Sequence, residues 1–311
     1  MLPQPQASPN KSLIMPELPE VETVRRGLVP AMVGHAIEHV EQRRPDLRFP
    51  LPQNFAGRLE GRTIERLERR GKYLLAHLSD GALLLMHLGM TGSFLISHSE
   101  KARGKKISRS GKLVAPTSRG THDHVVFHMS DGATVTYNDP RRFGFMLLVE
   151  PEERDTHPML RQLGIEPLGE ELTAAHLAAK AHGKRTDLKA FLLDQRIIAG
   201  LGNIYVCEAL YRAHLLPTRG TATIATATGK PTAKAEALVT AIRDVLNDAI
   251  GAGGSSLRDY RHTDGKLGYF QHRFAVYNRA GKKCPREGCG GTIERLVQSG
   301  RSTFYCPRCQ R

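Results

Sequence analysis

The sequence contains no tryptophan, and its aromatic residues amount to only 6%. That scarcity argues against a single-strand binder built on stacked aromatic rings. Long apolar runs are also missing: Ala82–Met86, among the longest, falls far short of the ~20 residues a membrane helix needs. The opening stretch MLPQPQASPNKSLI has no apolar segment behind a basic start, so it does not read as a secretory signal. A cytoplasmic protein without membrane association is expected. Acidic residues are in deficit, 31 Asp+Glu against 45 Lys+Arg, which leaves a formal charge of +14. The excess points to a polyanionic partner, nucleic acid first among them, with solvated surface lysines as the alternative.

What is present is globular in make-up. A chain of 311 residues, 40% apolar and 24% charged, suits two ordinary domains and a small third module. Four of the five cysteines, Cys284, Cys289, Cys306 and Cys309, lie in the last 28 residues as C-x4-C and C-x2-C, with 16 residues between the pairs. Two close pairs separated by a hairpin's length read as one structural Zn²⁺ site, each pair placing two thiolates on a tight turn. Two disulfides are the competing reading, disfavoured in a reducing compartment. Cys207 lies in a helical stretch and reads as a small core residue.

The pattern divides the chain into an α+β multidomain protein. Val21, Val24, Leu28 and Met32 recur at helical spacing. Short strand-like runs follow at Thr63–Leu67, Tyr73–Leu78, Ala82–Leu88, His124–Met129 and Thr134–Tyr137, with Ser-Asp-Gly turns at 79–81 and 130–132. Residues 15–150 are therefore expected to form a β-sandwich with an N-terminal helix. Within it, residues 100–120 carry the basic, aperiodic stretch ARGKKISRSGK, read as a surface loop that adds phosphate affinity. Residues 151–269 switch to helices, at Leu172–Ala181, Thr186–Asp194, Asn203–Ala213 and Thr232–Ala252. The Gly-rich stretch before Asn203 leads into a helix N-terminus, a natural phosphate seat or simply a tight turn. Residues 270–311 form the basic cysteine hairpin.

Residues 15–27 read MPELPEVETVRRG, followed by RRGKYLL at 69–75, HLGMTGS at 87–93, HDH at 122–124 and DPRRFG at 139–144. GLGNIY at 200–205, TDGKLGYF at 263–270 and GRSTFYCPRC at 300–309 continue in order. Over nearly the whole chain this resembles bacterial formamidopyrimidine-DNA glycosylase, of the Fpg/Nei family. The resemblance implies a sandwich domain, a helix–two-turn–helix domain and a zinc-finger β-hairpin. It also implies a monomeric base-excision enzyme that removes 8-oxoguanine and formamidopyrimidines from duplex DNA and then acts as an abasic-site lyase.

By the same resemblance Pro16 supplies the nucleophilic amine, Glu17 the general acid/base, and Lys72 and Arg301 assist β- and δ-elimination. Met90, Arg141 and Phe143 would fill the gap left by an everted nucleotide, with Arg141 on the orphaned cytosine. His122, Lys184, Lys189, Asn203 and Arg301 would clamp phosphates, Glu20 would line the base pocket, and 255–268 would cap the base. Considered singly, Lys72 reads as a surface lysine, and Met90 and Phe143 as core residues.

One departure bears on the chemistry. While residues 1–14 precede Met15, the Pro16 nitrogen is an amide without a nucleophilic lone pair. A start at Met15 followed by Met removal is the first reading of this extension; proteolysis and a catalytically silent damage binder are the others. Two further classes compete: a zinc-containing DNA-binding protein without catalysis, and an endonuclease VIII-like enzyme for oxidised pyrimidines.

Overall fold

The computed structural model describes residues 15–98, 120–255, 263 and 268–311. The 1–14 extension, most of the 100–120 insertion and most of the 255–268 segment therefore lie outside the described residues.

The chain opens with helix α1 (Leu18–Met32), whose Val21, Val24, Leu28 and Met32 are all buried. Strands β1 (Ile37–Gln42), β2 (Ile64–Arg70), β3 (Tyr73–Leu78), β4 (Leu83–His87), β5 (Ser93–His98), β6 (Asp123–Met129), β7 (Ala133–Asn138) and β8 (Phe145–Val149) follow, and α1 packs on β2, β3 and β5. These make two antiparallel four-stranded sheets, ordered β1-β6-β7-β5 and β2-β3-β4-β8. Helix α1 and the facing sheet sides share one core that includes Phe55, Leu74, Phe94, Phe127 and Tyr137. Short helix α2 (Phe55–Leu59) closes one end of it.

Strand β3 occupies the expected residues, and β2, β4, β6 and β7 overlap their expected runs. Strands β1, β5 and β8 and helix α2 are additions to the sequence reading. In β1 the register slips between Ile37 and His39, so the buried Ile37 and Val40 lie three residues apart instead of two. That bulge erases the alternation by which a strand is recognised.

The second half is helical: α3 (Pro158–Arg161), α4 (Ala174–Ala181), α5 (Leu188–Leu193), α6 (Asn203–Arg212) and α7 (Ala233–Gly251). Thr173 and Asp187 cap α4 and α5 by accepting from His176 N and Ala190 N, so both helices begin two residues later than their apolar pattern does. Strands β9 (Glu294–Gln298) and β10 (Arg301–Tyr305) form the terminal hairpin. The helices and hairpin share a single core, running from Leu172 through Tyr205, Phe270 and Phe304 to Cys306. The hairpin is thus packed into the helical region and braced by its side chains.

Candidate active site and DNA-binding surface

Pro16 is buried at the entrance of α1, and Glu17 is the N-cap residue of that helix. The Leu18 amide donates to the Gly200 carbonyl (3.2 Å), joining the sandwich to the helical region beside the site. The Glu17 carboxylate reaches across this joint and accepts from Ile204 N (3.0 Å) and Tyr205 N (3.4 Å), in the first turn of α6. A helix N-terminus with free amides and a positive dipole end favours a carboxylate there. Of the two readings of this stretch, phosphate seat or tight turn, the phosphate seat gives way, because the Ile204 and Tyr205 amides are taken by the protein's own carboxylate. Gly202 permits it, since a Cβ there would lie 2.2 Å from the Glu17 Cδ.

Glu20, one turn along α1, is also buried. It accepts from Glu17 N (3.0 Å), the Tyr205 hydroxyl (2.6 Å), Ser255 N (2.8 Å) and Ser255 Oγ (2.9 Å). Its carboxylate therefore organises the start of α1, α6 and the residue at which the 255–268 segment begins.

Lys72 is buried, in contrast to the surface lysine expected of that residue alone. It follows Gly71, whose φ of +56° makes the tight β2–β3 turn. Glu166 holds that turn. Its carboxylate accepts from Gly71 N (2.6 Å), Arg70 Nη1 (2.8 Å) and Arg69 Nη1 (2.7 Å), and Arg69 also reaches Glu22. Neighbouring Ile165 bridges to Ile198, so the turn carrying Lys72 is pinned to the loop that leads to α6.

The electrostatics follow from this enclosure. Burial pushes the Glu17 carboxyl up to about 7, against the opposing charge of Lys72 and the two α6 amides. Burial also raises Glu20, against the Tyr205 and Ser255 bonds, and lowers Lys72, which the Glu17 charge partly offsets. The Arg301 charge lowers Lys72 further. The structure thus brings Pro16, Glu17, Glu20 and Lys72 together, with Arg301, exposed at the start of β10, adding its charge to the field at Lys72.

The wedge candidates occupy two touching loops. The Thr91 hydroxyl donates to Asp139 and accepts from Arg141 N (3.2 Å), and Gly89 lies against the Phe143 backbone. Phe143 is 41% exposed, contrary to the core position its apolarity alone predicts. The Arg141 guanidinium lies 4.6 Å from the Phe143 ring centroid, and its Nη1 is buried without a hydrogen-bond partner among the described residues. A polar atom left unpaired at a loop tip is set to gain a bond when a ligand arrives. Met90 is half-buried beside them.

The expected phosphate clamp divides. His122 and Lys184 are exposed and free to meet a backbone. Lys189 is not: its side chain is 0% exposed, and Nζ donates to Thr303 Oγ1 (2.6 Å) and Ser302 O (3.3 Å). Asn203 Nδ2 likewise donates to Ser302 O (2.9 Å). Both brace β10 from beneath, so Lys189 cannot clamp a phosphate in this arrangement. Glu166, Tyr205 and Gly202 are functional positions that the sequence alone does not single out, although Gly202 and Tyr205 lie within the GLGNIY motif.

Cys284, Cys289, Cys306 and Cys309 converge, with all four Sγ atoms within 4.8 Å of one another. Cys284–Cys309 are separated by 3.8 Å and Cys289–Cys306 by 3.6 Å. A tetrahedral ion with Zn–S bonds of about 2.3 Å sets its sulfurs roughly 3.8 Å apart, so the four residues fit one structural zinc. A closed four-sulfur set leaves no coordination position for substrate.

A sandwich that buries a carboxylate and a lysine against a helix–two-turn–helix unit, with a zinc hairpin alongside, defines a class: the DNA glycosylases of this architecture. Three family models match in order: the formamidopyrimidine-DNA glycosylase N-terminal domain over residues 15–146, its H2TH domain over 163–261, and the zinc finger found in FPG and IleRS over 281–311. The chain belongs to the formamidopyrimidine-DNA glycosylase family. It is 60% identical over 299 residues to the formamidopyrimidine-DNA glycosylase of Beijerinckia indica, covering 96% of this chain and 100% of that one. The corresponding protein of Bradyrhizobium sp. (strain BTAi1) is 59% identical with the same coverage. Among solved structures, the MutM (Fpg) protein of Thermus thermophilus matches with a TM-score of 0.76 and 39% identity, over 95% of this chain and 98% of that one. A Lactococcus lactis FPG mutant in complex with Fapy-dG-containing DNA matches with a TM-score of 0.79 and 33% identity, over 95% and 100%.

Proposed function

We propose that this glycosylase excises 8-oxoguanine and formamidopyrimidines from duplex DNA through a Schiff base on Pro16, then cleaves the strand by β- and δ-elimination. The observation that carries the reading is the enclosed Glu17–Lys72 pair at the α1 entrance, with the Glu17 carboxyl raised to about 7. The Pro16 nitrogen lone pair forms a bond to C1′ while the glycosidic bond breaks; the base leaves with that bond's electron pair and is neutralised by the proton that the Pro16 nitrogen sheds, which restores the nitrogen lone pair. Glu17 then gives its proton to O4′ as the C1′–O4′ bond opens, leaving an iminium between C1′ and Pro16. The iminium acidifies C2′. Loss of a C2′ proton expels the 3′ phosphate, and a second elimination expels the 5′ phosphate. Lys72 and Arg301 serve these eliminations by proton transfer and by holding the leaving phosphates.

Binding of lesion-bearing or abasic duplex DNA rests on the pair Arg141 and Phe143 and on exposed cations such as Lys184 and His122. No helix among the described residues is long and apolar enough to cross a membrane. A monomeric, cytoplasmic enzyme follows from this reading. The reactive form begins at Pro16, because an amide nitrogen cannot attack C1′.

Borohydride trapping on an 8-oxoguanine:cytosine duplex tests the proposal. A chain beginning at Pro16 is expected to give a covalent protein–DNA adduct, and the 311-residue chain none. An absence of adduct from the Pro16-initiated chain sinks the catalytic reading, and an adduct from the intact long chain, checked by N-terminal sequencing, sinks the requirement for a free Pro16.

A further inference from the structure

The zinc ligands are all supplied by the terminal hairpin, but one of them is bonded by a side chain from outside it. The Tyr211 hydroxyl, on the last turn of α6, lies 3.4 Å from the Sγ of Cys284. A zinc-bound cysteine is a thiolate and carries no proton, so in the metal-loaded protein the phenol must be the donor. Tyr211 is nearly fully buried, so no water competes for that sulfur on this side. Arg286 tightens the arrangement. Its guanidinium stands 4.5 Å from the Tyr211 ring centroid, and Nη2 donates to the Tyr211 carbonyl (2.9 Å). A cation over the ring face withdraws electron density and makes the hydroxyl a stronger donor. One turn earlier on the same face, the buried Glu208 accepts from Ala275 N (3.0 Å), Val276 N (3.0 Å) and Tyr277 N (2.8 Å), in the segment that leads toward Cys284.

We propose that Tyr211 is a positioning residue for the zinc centre, its hydroxyl donating to the Cys284 thiolate and so holding the metal through α6. Four thiolates around one Zn²⁺ leave a net charge of −2, which outer donors disperse; removing such a donor weakens metal affinity about 10- to 100-fold. The site is in this sense completed by the helical domain, since the hairpin alone lacks the donor.

The test compares the full chain with Tyr211→Phe, which keeps the ring and deletes only the hydroxyl. Zinc affinity is read by chelator competition and the metal environment by the sulfur-to-metal charge-transfer band of the Co²⁺-substituted protein. Tyr211→Phe is expected to bind zinc at least about tenfold more weakly and to move the band to longer wavelength, because an unbonded thiolate is easier to oxidise. Weaker binding with an unmoved band shows that the hydroxyl acts only through packing and not on the sulfur, and overturns the proposal, as does an unchanged affinity. Should the variant fail to fold, the unmutated chain expressed with 3-fluorotyrosine carries the test. Its more acidic phenol is expected to move the band to shorter wavelength, and an unmoved band rejects the hydrogen bond.

Discussion

The carboxyl carbon of Glu17 lies where the side chain of residue 202 would begin: a Cβ on Gly202 would sit 2.2 Å from it. The glycine is at φ −129°, a backbone any residue adopts, so its need is for space alone. Gly202→Ala is expected to leave the fold intact but to push the carboxyl off Ile204 N and Tyr205 N. A displaced general acid loses much of its roughly 10²- to 10⁴-fold contribution. Single-turnover excision should therefore fall at least about tenfold. Circular dichroism and a melting curve close to those of the parent would show that the loss is local, and an unchanged excision rate would remove Glu17 from the acid role.

The pH profile should be a bell. Glu17 must carry its proton to act as the acid, and it loses it through about 7. The Pro16 amine must be neutral, and an α-amine loses its proton near about 8. The competent state, neutral amine with protonated carboxyl, is thus a minority species most populated at about pH 7.5. Measured kcat/KM for a Pro16-initiated chain is expected to rise through about 7 and fall through about 8. A rate that keeps climbing past about pH 9 would rule out a protonated Glu17.

The same raised carboxyl has an opposite effect on stability. Its folded value exceeds the unfolded 4.5, so the folded state binds the extra proton between about 4.5 and 7. Stability is full below 4.5, declines as pH rises through that window, and stays lower above it. Glu17→Gln removes the titration. Its Tm relative to the parent should therefore become more favourable between about pH 5 and pH 8, whatever the fixed offset from the altered hydrogen bonds. A Tm difference that does not change with pH would contradict the enclosed carboxyl.

Two lysines that look alike in the sequence should behave differently. Lys184 is exposed, and its replacement by alanine is expected to lower the salt slope of duplex binding by about one counterion. Lys189 is wholly enclosed beneath β10, bonded to Thr303 and Ser302. Lys189→Ala should leave that slope unchanged and lower thermal stability instead, by stranding the Thr303 hydroxyl and opening a cavity. Salt titrations of binding together with melting curves separate the two outcomes.

Phe143→Ala removes the exposed ring on which Arg141 rests. Being 41% exposed, the ring contributes little to stability, so the melting temperature should hardly move. Excision from an intact duplex, which requires unstacking a nucleotide, should fall more than cleavage at a preformed abasic site. Equal losses on both substrates would deny the loop a role in extrusion.

The α1 stripe, the β3 run and the four cysteines were legible because local periodicity or spacing carries them. What escaped was set by distant partners. No pattern around Lys189 shows that a threonine 114 positions later will enclose its amine, and none around Lys72 shows that Glu166 will draw its turn inward. The bulge in β1 hid a strand by breaking the period that identifies one. The family resemblance named the catalytic positions, but it took three dimensions to show that Ile204 and Tyr205 are occupied by Glu17.

Glu166 sits in the connection between the two halves of the molecule yet grips the turn that carries Lys72. Glu17, for its part, is held by the Ile204 and Tyr205 amides of α6. Each of the two buried groups on the sandwich side is thus fixed by a partner from the helical side, so the pair depends for its placement on a half of the molecule to which neither member belongs.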